Sequence, residues 1–179
     1  SALSYHLFAG QGGRALIIGP GGGRDVVHAL ESGMAHVTGV EVNPIIAKTI
    51  MQERFVNLAQ SLYADPRVRI VTDEGRSFIR RSQEEFDVIQ ATLVDTWAAT
   101  ASGAFALTEN TLYTTEAFDD YLAHLTDQGV VTFTRWHWGN APESQRLLVL
   151  VTAALERRGV PRAEARQHVY FAEKQGMGT

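Results

Sequence analysis

Residues 15–25 read Ala-Leu-Ile-Ile-Gly-Pro-Gly-Gly-Gly-Arg-Asp, and Val-Val-His-Ala-Leu follows directly at 26–30. An apolar run that leads into glycines and then into an apolar helical pattern predicts a buried strand, a tight turn and the opening of a helix. Glycine suits such a turn because a side chain would hold a ligand away from the backbone, and because some positions need a positive φ. The stretch therefore predicts a nucleotide-binding turn whose backbone amides face the ligand at a helix N-terminus.

The spacing of the glycines narrows the class of ligand. Gly19, Gly21 and Gly23 form G-x-G-x-G, whereas a dinucleotide site needs G-x-G-x-x-G and would have glycine in place of Arg24. This spacing disfavours an NAD-dependent reductase. It resembles motif I of the class I S-adenosylmethionine (SAM) dependent methyltransferases, whose loop passes beneath the amino acid half of SAM. A plain structural corner is the alternative interpretation of the turn.

The composition is that of one ordinary globular domain. The chain has 179 residues, of which 45% are hydrophobic and 20% charged, so it is long enough for one core and short for two. A net charge of −4 gives no reason to expect nucleic acid as a partner. The absence of cysteine excludes disulfides and thiolate chemistry, and the 6 histidines lack ligand-like spacing, so no metal site is predicted.

The sequence predicts neither a membrane span nor a signal peptide. The longest apolar run, Leu147–Leu155, is far too short to cross a bilayer, and the N-terminus has no basic stretch before an apolar core. We therefore expect a cytoplasmic protein. Because Ser1 is not an initiator methionine, we also expect a processed or excised part of something longer, such as the cytosolic domain of a membrane-associated protein.

Strand and helix patterns alternate along the chain. Residues 1–13 show no period and are predicted to be a lead-in, either a lid or a plain loop, to one domain over 14–179. The alternation predicts an α/β fold with a mostly parallel sheet, helices on both faces and a ligand at the carboxyl ends of the strands. The predicted strands are Ala15–Ile18, His36–Val42, Val68–Val71, Phe86–Ala91, Val130–Phe133 and, as a candidate sixth, His168–Ala172.

Three stripes at helical spacing predict helices that pack on this sheet, and Asp127-Gln128-Gly129 predicts a turn into the fifth strand. The stripes are Met51, Phe55, Leu58 and Leu62; Phe118, Tyr121, Leu122 and Leu125; and Leu147, Leu148, Val151, Ala154 and Leu155.

Acidic residues end the second and third predicted strands. Glu41 lies 22 residues after Gly19, close to the ~20-residue interval at which an acid grips ribose hydroxyls. The alternative is a solvated acid that caps the next helix. Asp73 is predicted to accept from an adenine amino group, or else Asp73 and Glu74 form an acidic turn before a helix. The predicted ligand-binding residues are Gly19, Gly21, Gly22, Gly23, Asp25, Glu41, Val42, Asp73, Glu74 and Gly75.

A long connection from Thr92 to about Tyr113 is predicted to carry the chemistry, because long loops in compact domains tend to be functional. Asp95 would orient or deprotonate an acceptor if burial tuned its pKa, or it would only tie down its own loop. The catalytic candidates are Asp95, Thr92 and Tyr113, with Trp97 and Glu109 as further candidates. Trp136-His137-Trp138 would form an aromatic wall with His137 as a base, or a plug at the sheet edge.

Several segments, taken in order, resemble the spermidine/spermine synthase family, a branch of the class I methyltransferase fold. The resemblance covers about Ala15 to Trp136, and it implies a Rossmann-like fold that binds SAM or decarboxylated SAM. That fold normally closes with an antiparallel strand, for which we find no room after Phe171. The segments are Leu16–Gly19, Val40–Pro44, Asp65–Val68, Asp73–Arg76, Phe86–Ile89 and Leu112–Phe118.

Two departures from this family bear on the reaction. The family typically carries G-G-G-D-G-G, and Gly22 stands where its aspartate contacts the aminopropyl amine. Its fourth strand typically ends in an aspartate that accepts the amine proton, and Thr92 stands there. Asp95 takes the place of a second aspartate, but Thr96 replaces the proline that follows. A threonine cannot hold a proton or a diamine's charge as a carboxylate does.

These observations leave three hypotheses open. The first is a SAM-dependent methyltransferase that acts on a small-molecule acceptor, the protein mainly aligning a nucleophile with the sulfonium. The second is a polyamine aminopropyltransferase that uses decarboxylated SAM. The third is a sensor or scaffold domain that binds the nucleoside without turnover, which the loss of both family aspartates supports. A homodimer is compatible with each.

Overall fold

Five strands form the main sheet in the computed structural model, which describes residues 3–54, 56–57, 61–94, 111–135, 142–174 and 177–178. They are β1 Arg14–Ile18, β2 His36–Glu41, β3 Val68–Thr72, β4 Phe86–Thr92 and β5 Leu125–Thr134. All four neighbouring pairs are parallel, in the order β3-β2-β1-β4-β5. Thus β2 and β3 lie on one side of β1, and the later strands β4 and β5 lie on the other side. This reversal leaves a crevice at the carboxyl ends of β1 and β4, as the sequence predicts.

Helices connect these strands and follow the last of them. The segment Thr115–Ala123 begins where it does because the Thr114 hydroxyl accepts a hydrogen bond from the Ala117 amide, at 3.1 Å. The helices are α1 Leu3–His6, α2 Arg24–Glu31, α3 Gly75–Arg81, α4 Thr115–Ala123, α5 Pro142–Arg157 and α6 Arg162–Ala165, with a π-helix Ile45–Arg54 and 3₁₀ helices Leu62–Ala64 and Arg166–His168.

A separate hydrophobic core covers each face of the sheet, which confirms the predicted three-layer arrangement. Side chains alternate along β1, so Ala15 and Ile17 face one core and Leu16 and Ile18 face the other. Each fully buried aliphatic side chain contributes about 1.5–3 kcal/mol. The first core adds Tyr5, Phe8, Val26, Met51 and Tyr63, and the second adds Phe78, Phe118, Tyr121 and Ala154.

The lead-in is not a plain loop. Residues 3–6 form α1, and the side chains of Tyr5 and Phe8 are buried in the first core. The described part of 1–13 therefore packs in the same core as β1 and α2. The sequence does not reveal this because two aromatic residues three positions apart make no complete helical stripe.

Several predicted boundaries and strands are wrong. The π-helix ends at Arg54, so Leu62 lies in a separate 3₁₀ helix, while Phe55 and Leu58 lie outside the described residues. Leu148 in α5 is half-exposed although the stripe predicts burial. His168–Ala172 forms no strand: a 3₁₀ helix ends at His168, and Tyr170 and Phe171 are exposed. Within the part of the chain that the structure describes, the short strands β6 Glu173–Lys174 and β7 Met177–Gly178 pair with each other and not with the main sheet.

The predicted turn at Asp127–Gly129 lies inside β5, which already begins at Leu125. The pairing of β4 with β5 shifts its register between Phe86 and Val88, so the extra residues are absorbed by an irregularity. Gly129 permits this because a Cβ there would stand 2.8 Å from the Phe86 carbonyl oxygen. Tertiary pairing overrides the local turn signal.

Asp87 joins the starts of three strands. One carboxylate oxygen accepts from the Arg14 amide at 2.7 Å, and the other accepts from the Thr126 hydroxyl at 2.9 Å. These residues lie in β1 and β5, the two neighbours of β4. Asp87 therefore links the amino ends of β1, β4 and β5, at the edge of the sheet opposite the crevice.

We expect Asp87→Ala to lower the free energy of unfolding by about 1–3 kcal/mol, because it removes both hydrogen bonds and leaves their donors without this acceptor. Denaturant unfolding measures the change, with Asp127→Ala as control because that carboxylate is exposed on β5. Equal stability of the two variants would contradict the role given to Asp87.

Gly23 precedes α2 in the left-handed region, at φ 84°. A Cβ at this position would stand 2.4 Å from a Leu62 methyl carbon, so the turn also packs tightly against the 3₁₀ helix Leu62–Ala64. By contrast, a Cβ on Gly22 would meet nothing within 4 Å, and Gly22 is not among the residues with positive φ.

We expect Gly23→Ala to lower the free energy of unfolding by more than the ~1–2 kcal/mol that left-handed backbone costs a residue with a side chain. Gly22→Ala should stay within about 0.5 kcal/mol of the parent chain. Thermal unfolding of both variants compares them directly, and a larger loss for Gly22→Ala would contradict this account of the turn.

Candidate functional site

A cavity of about 300 Å³ lies at the carboxyl ends of β1, β2 and β4. This is the edge at which the site residues are predicted to converge, because parallel strands end on the same side of a sheet. Polar and glycine residues form one part of the wall: Gly19, Gly21, Glu41, Asn43, Glu74 and Gly75. Apolar residues form the rest: Ile18, Val40, Val42, Ile46, Leu93, Val94 and Leu112.

The glycine turn presents backbone to this cavity. Gly19 and Gly21 line it, and Gly21 has φ 49°. The turn is closed by a hydrogen bond from the Gly23 amide to the Pro20 carbonyl, at 2.8 Å. Gly22 and Gly23 are not among the lining residues, although Gly22 borders open space. The carboxylate of Asp25 is buried and lies 3.9 Å from the His28 ring rather than in the cavity wall.

Glu41 brings a buried carboxylate to the end of β2. Only 5% of the residue is exposed, and its two oxygens accept from the amides of Gly21, at 3.2 Å, and Asn43, at 3.0 Å. An ionised carboxylate has about four acceptor positions, so two remain for a ligand. Glu41 is therefore bound to the glycine turn, and its neighbour Val42 also lines the cavity.

The two acids after β3 differ in position. One oxygen of Asp73 accepts from the Glu74 amide at 2.8 Å, and the other pairs with the exposed Arg81 guanidinium. Glu74 caps α3, accepting from the amides of Arg76 at 3.0 Å and Ser77 at 2.8 Å. Glu74 and Gly75 line the cavity, whereas Asp73 is not among the lining residues. Of these two acids, Glu74 therefore lines the cavity, although Asp73 is the one predicted to contact adenine.

The end of β4 carries a backbone outlier at the cavity. Leu93 has φ 48°, which costs a bulky residue about 1–2 kcal/mol. Its amide donates to the Thr134 carbonyl at 3.1 Å, and the next residue, Val94, packs against Gly19. Strained residues of this kind cluster at functional sites. Here the unusual φ turns the chain so that Leu93 and Val94 line the cavity directly after Thr92.

Thr92 and Tyr113 stand beside the cavity rather than in its wall. The Thr92 hydroxyl oxygen accepts from the buried Gln90 side-chain amide at 2.7 Å. The Tyr113 ring packs edge-on against Phe133, and the guanidinium carbon of Arg135 lies 4.0 Å from its centroid. Their catalytic roles stay predictions. The other catalytic candidates, Asp95, Trp97, Glu109 and Trp136–Trp138, lie outside the described residues.

Leu112, the residue before Tyr113, lines the cavity and is held from behind. The buried Tyr121 hydroxyl donates to the Leu112 carbonyl at 2.9 Å, and burial raises the pKa of Tyr121. Arg76 on α3 pairs with Asp120 on α4 at 2.7 Å. These contacts join α4 to α3, whose first residue, Gly75, lines the cavity.

Neither a metal centre nor a membrane span is found in the described residues. They bring no three histidine, aspartate or glutamate side chains into an arrangement that could hold a metal ion. None of their helices combines the length and apolarity needed to cross a bilayer.

Sequence reasoning misses the residues that act through distant contacts. Tyr63 donates from its hydroxyl to the Gly21 carbonyl at 2.7 Å, across 42 residues of sequence. No local pattern marks that contact, and none marks Leu112 or Ile46 as cavity wall. Asn43 carries a signal: it directly follows the predicted strand that contains Glu41, and it precedes Pro44 near the start of the next helix.

Comparison with known proteins identifies the family. The model of the spermine/spermidine synthase domain matches residues 6–149. A polyamine aminopropyltransferase of Thermoplasma volcanium is 26% identical over 129 residues, covering 72% of this chain and 43% of that protein. One of Korarchaeum cryptofilum is 23% identical over 151 residues, covering 84% and 44%. The chain thus spans less than half the length of these curated relatives.

Solved structures agree on the fold. The spermidine synthase from Thermotoga maritima superposes with a TM-score of 0.62 at 18% identity, over 98% of this chain and 55% of that one. A SAM-dependent methyltransferase from Agrobacterium tumefaciens superposes with a TM-score of 0.58 at 14% identity, over 86% and 47%. At these identities the likeness shows the Rossmann-like fold alone. Because the family model matches well over half of its length, the chain belongs to the spermine/spermidine synthase family.

Proposed function

We propose that this chain binds an adenosyl sulfonium and takes part in transferring the aminopropyl group of decarboxylated SAM to a small amine. The observation that carries the proposal is the buried Glu41 carboxylate, which lines the cavity while bonded to the Gly21 amide. Family membership and the relatives named polyamine aminopropyltransferase support the reaction class. Methyl transfer, the first hypothesis from the sequence, becomes the second candidate.

The cavity suits an adenosine moiety in size and chemistry. Its volume of about 300 Å³ is at the lower end of the ~300–1,000 Å³ usual for small-molecule sites. Glu41 has lone pairs left for both ribose hydroxyls, and Ile46 and Leu112 provide apolar walls for a base. Glu74 would accept from the adenine amino group, the role that the sequence analysis gives to Asp73.

When bound, the sulfonium supplies an electrophilic carbon: the amine nitrogen bonds to it, the carbon–sulfur bond breaks with its electrons going to sulfur, and the amine loses a proton. Glu41 and the glycine turn would hold the donor still, so that the acceptor needs only alignment. Thr92 cannot receive the proton as a carboxylate would. We expect Asp95, three residues further along the chain, to receive it.

Methyl transfer from SAM is the second candidate, and two positions favour it. Gly22 and Thr92 stand where the resemblance leads us to expect acids that hold the charged aminopropyl group and the diamine. Open space at Gly22 would leave room for the carboxylate that SAM keeps and decarboxylated SAM lacks. The same two positions support binding without turnover, as in a sensor domain.

Calorimetric titration with SAM and with decarboxylated SAM tests the proposal. Tighter binding of decarboxylated SAM, together with aminopropyl transfer to a member of a panel of amines, is the expected result. Preference for SAM with methyl transfer would establish the second candidate, and binding without any product would establish the sensor. Absence of binding by either compound would overturn all three.

Glu41→Gln is expected to weaken binding of decarboxylated SAM about 10- to 100-fold, because a charged acceptor shared by the ribose and the glycine turn is lost. The matched control is Glu53→Gln, since Glu53 is exposed on the π-helix outside the cavity wall. Calorimetry gives both affinities, and thermal unfolding checks that each variant folds. An unchanged affinity in Glu41→Gln would remove Glu41 from the site.

A further inference from the structure

We propose that Tyr63 is a positioning residue of the adenosyl site, which acts by holding the carbonyl of Gly21. This inference rests on the proposed function for its effect on binding, but its effect on the glycine turn can be measured separately. Tyr63 lies in the 3₁₀ helix Leu62–Ala64, between the π-helix and β3, and it is not among the residues that line the cavity.

The contact itself is short and protected. The Tyr63 hydroxyl donates to the Gly21 carbonyl oxygen at 2.7 Å, and only 6% of the residue is exposed. Burial raises the pKa of Tyr63, and the nearby Glu41 carboxylate raises it further. The hydroxyl therefore keeps its proton at physiological pH and always serves as the donor.

Gly21 is gripped on both of its peptide groups. Glu41 accepts from its amide at 3.2 Å, and Tyr63 donates to its carbonyl at 2.7 Å. Gly21 lines the cavity while Tyr63 does not, so the hydrogen bond directs the Gly21 carbonyl toward a residue outside the set of lining residues. In a planar trans peptide the next amide points opposite to that carbonyl, so Tyr63 also sets the direction of the Gly22 N–H. Without this hydrogen bond the peptide group could rotate, and neither the Gly21 carbonyl nor the Gly22 N–H would keep a fixed direction at the site.

The 3₁₀ helix that carries Tyr63 is itself held by contacts on both sides. Leu62 packs against Gly23, with a methyl carbon 2.4 Å from where a Cβ would stand. After the 3₁₀ helix, Asp65 accepts from the Arg67 amide at 2.8 Å and from its guanidinium at 2.8 and 3.0 Å. The hydrogen bonds from Arg67 lower the pKa of Asp65 to about 2, so the carboxylate that accepts them stays ionised well below neutral pH. These contacts restrict the movement of the Tyr63 side chain away from Gly21.

Tyr63→Phe removes the hydroxyl and keeps the ring in the core. We expect it to weaken calorimetric binding of SAM and of decarboxylated SAM about 5- to 50-fold, as loss of one buried hydrogen bond at a binding loop should. Tyr5→Phe is the matched control: Tyr5 is fully buried on the same face, and its hydroxyl has no hydrogen-bond partner among the described residues. That variant should bind within about twofold of the parent chain.

Amide hydrogen exchange without ligand separates this inference from the proposed function. In Tyr63→Phe the amides of 21–23 should exchange at least several-fold faster, while those of β4 stay unchanged. If the parent chain binds neither adenosyl compound, the proposed function fails and the exchange result alone decides the role of Tyr63. Unchanged exchange at 21–23 would overturn the inference, as would faster exchange with unchanged affinity in a chain that binds.

Discussion

The hydrogen bond between the Glu41 carboxylate and the Gly21 amide is the constraint on which the site depends. It joins the turn after β1 to the end of β2, two points separated by 20 residues that the parallel pairing of these strands brings together. Because the carboxylate is buried, this bond is stronger than it would be in water. The cavity therefore lies at two neighbouring strand ends that this hydrogen bond holds together.

Most of the fold could be predicted from the sequence, since its strands are short apolar runs bounded by turn residues. The first four strands lie close to their predicted positions, and β1 has the central place that its buried run implies. The errors occur where tertiary contacts override local signals. Gly129 indicates a turn by residue type, yet in β5 its missing side chain lets the Phe86 carbonyl approach and the strand continue.

The candidate site could be predicted only as far as local motifs reach. Gly21 and Glu41 could be located from the glycine spacing and from the interval to the acid. Both signals mark the end of a strand, and the ends of strands can be predicted from the local sequence. The distinction between Asp73 and Glu74 depends on which carboxylate caps α3 and which turns toward Arg81, and adjacent acids look alike in sequence. The left-handed backbone of Leu93 is harder still, because leucine ordinarily avoids it.

The burial of Tyr5 and Phe8 has a practical meaning for how this domain is delimited. The sequence pattern suggests a boundary at the first strand of the sheet. A boundary there would remove two aromatic rings that share a core with Val26 and Ile17. Removing them would uncover apolar surface directly behind the helix that follows the glycine turn. The core on this face of the sheet thus extends beyond the strand, turn and helix of the glycine motif, and trimming should spare the aromatic lead-in.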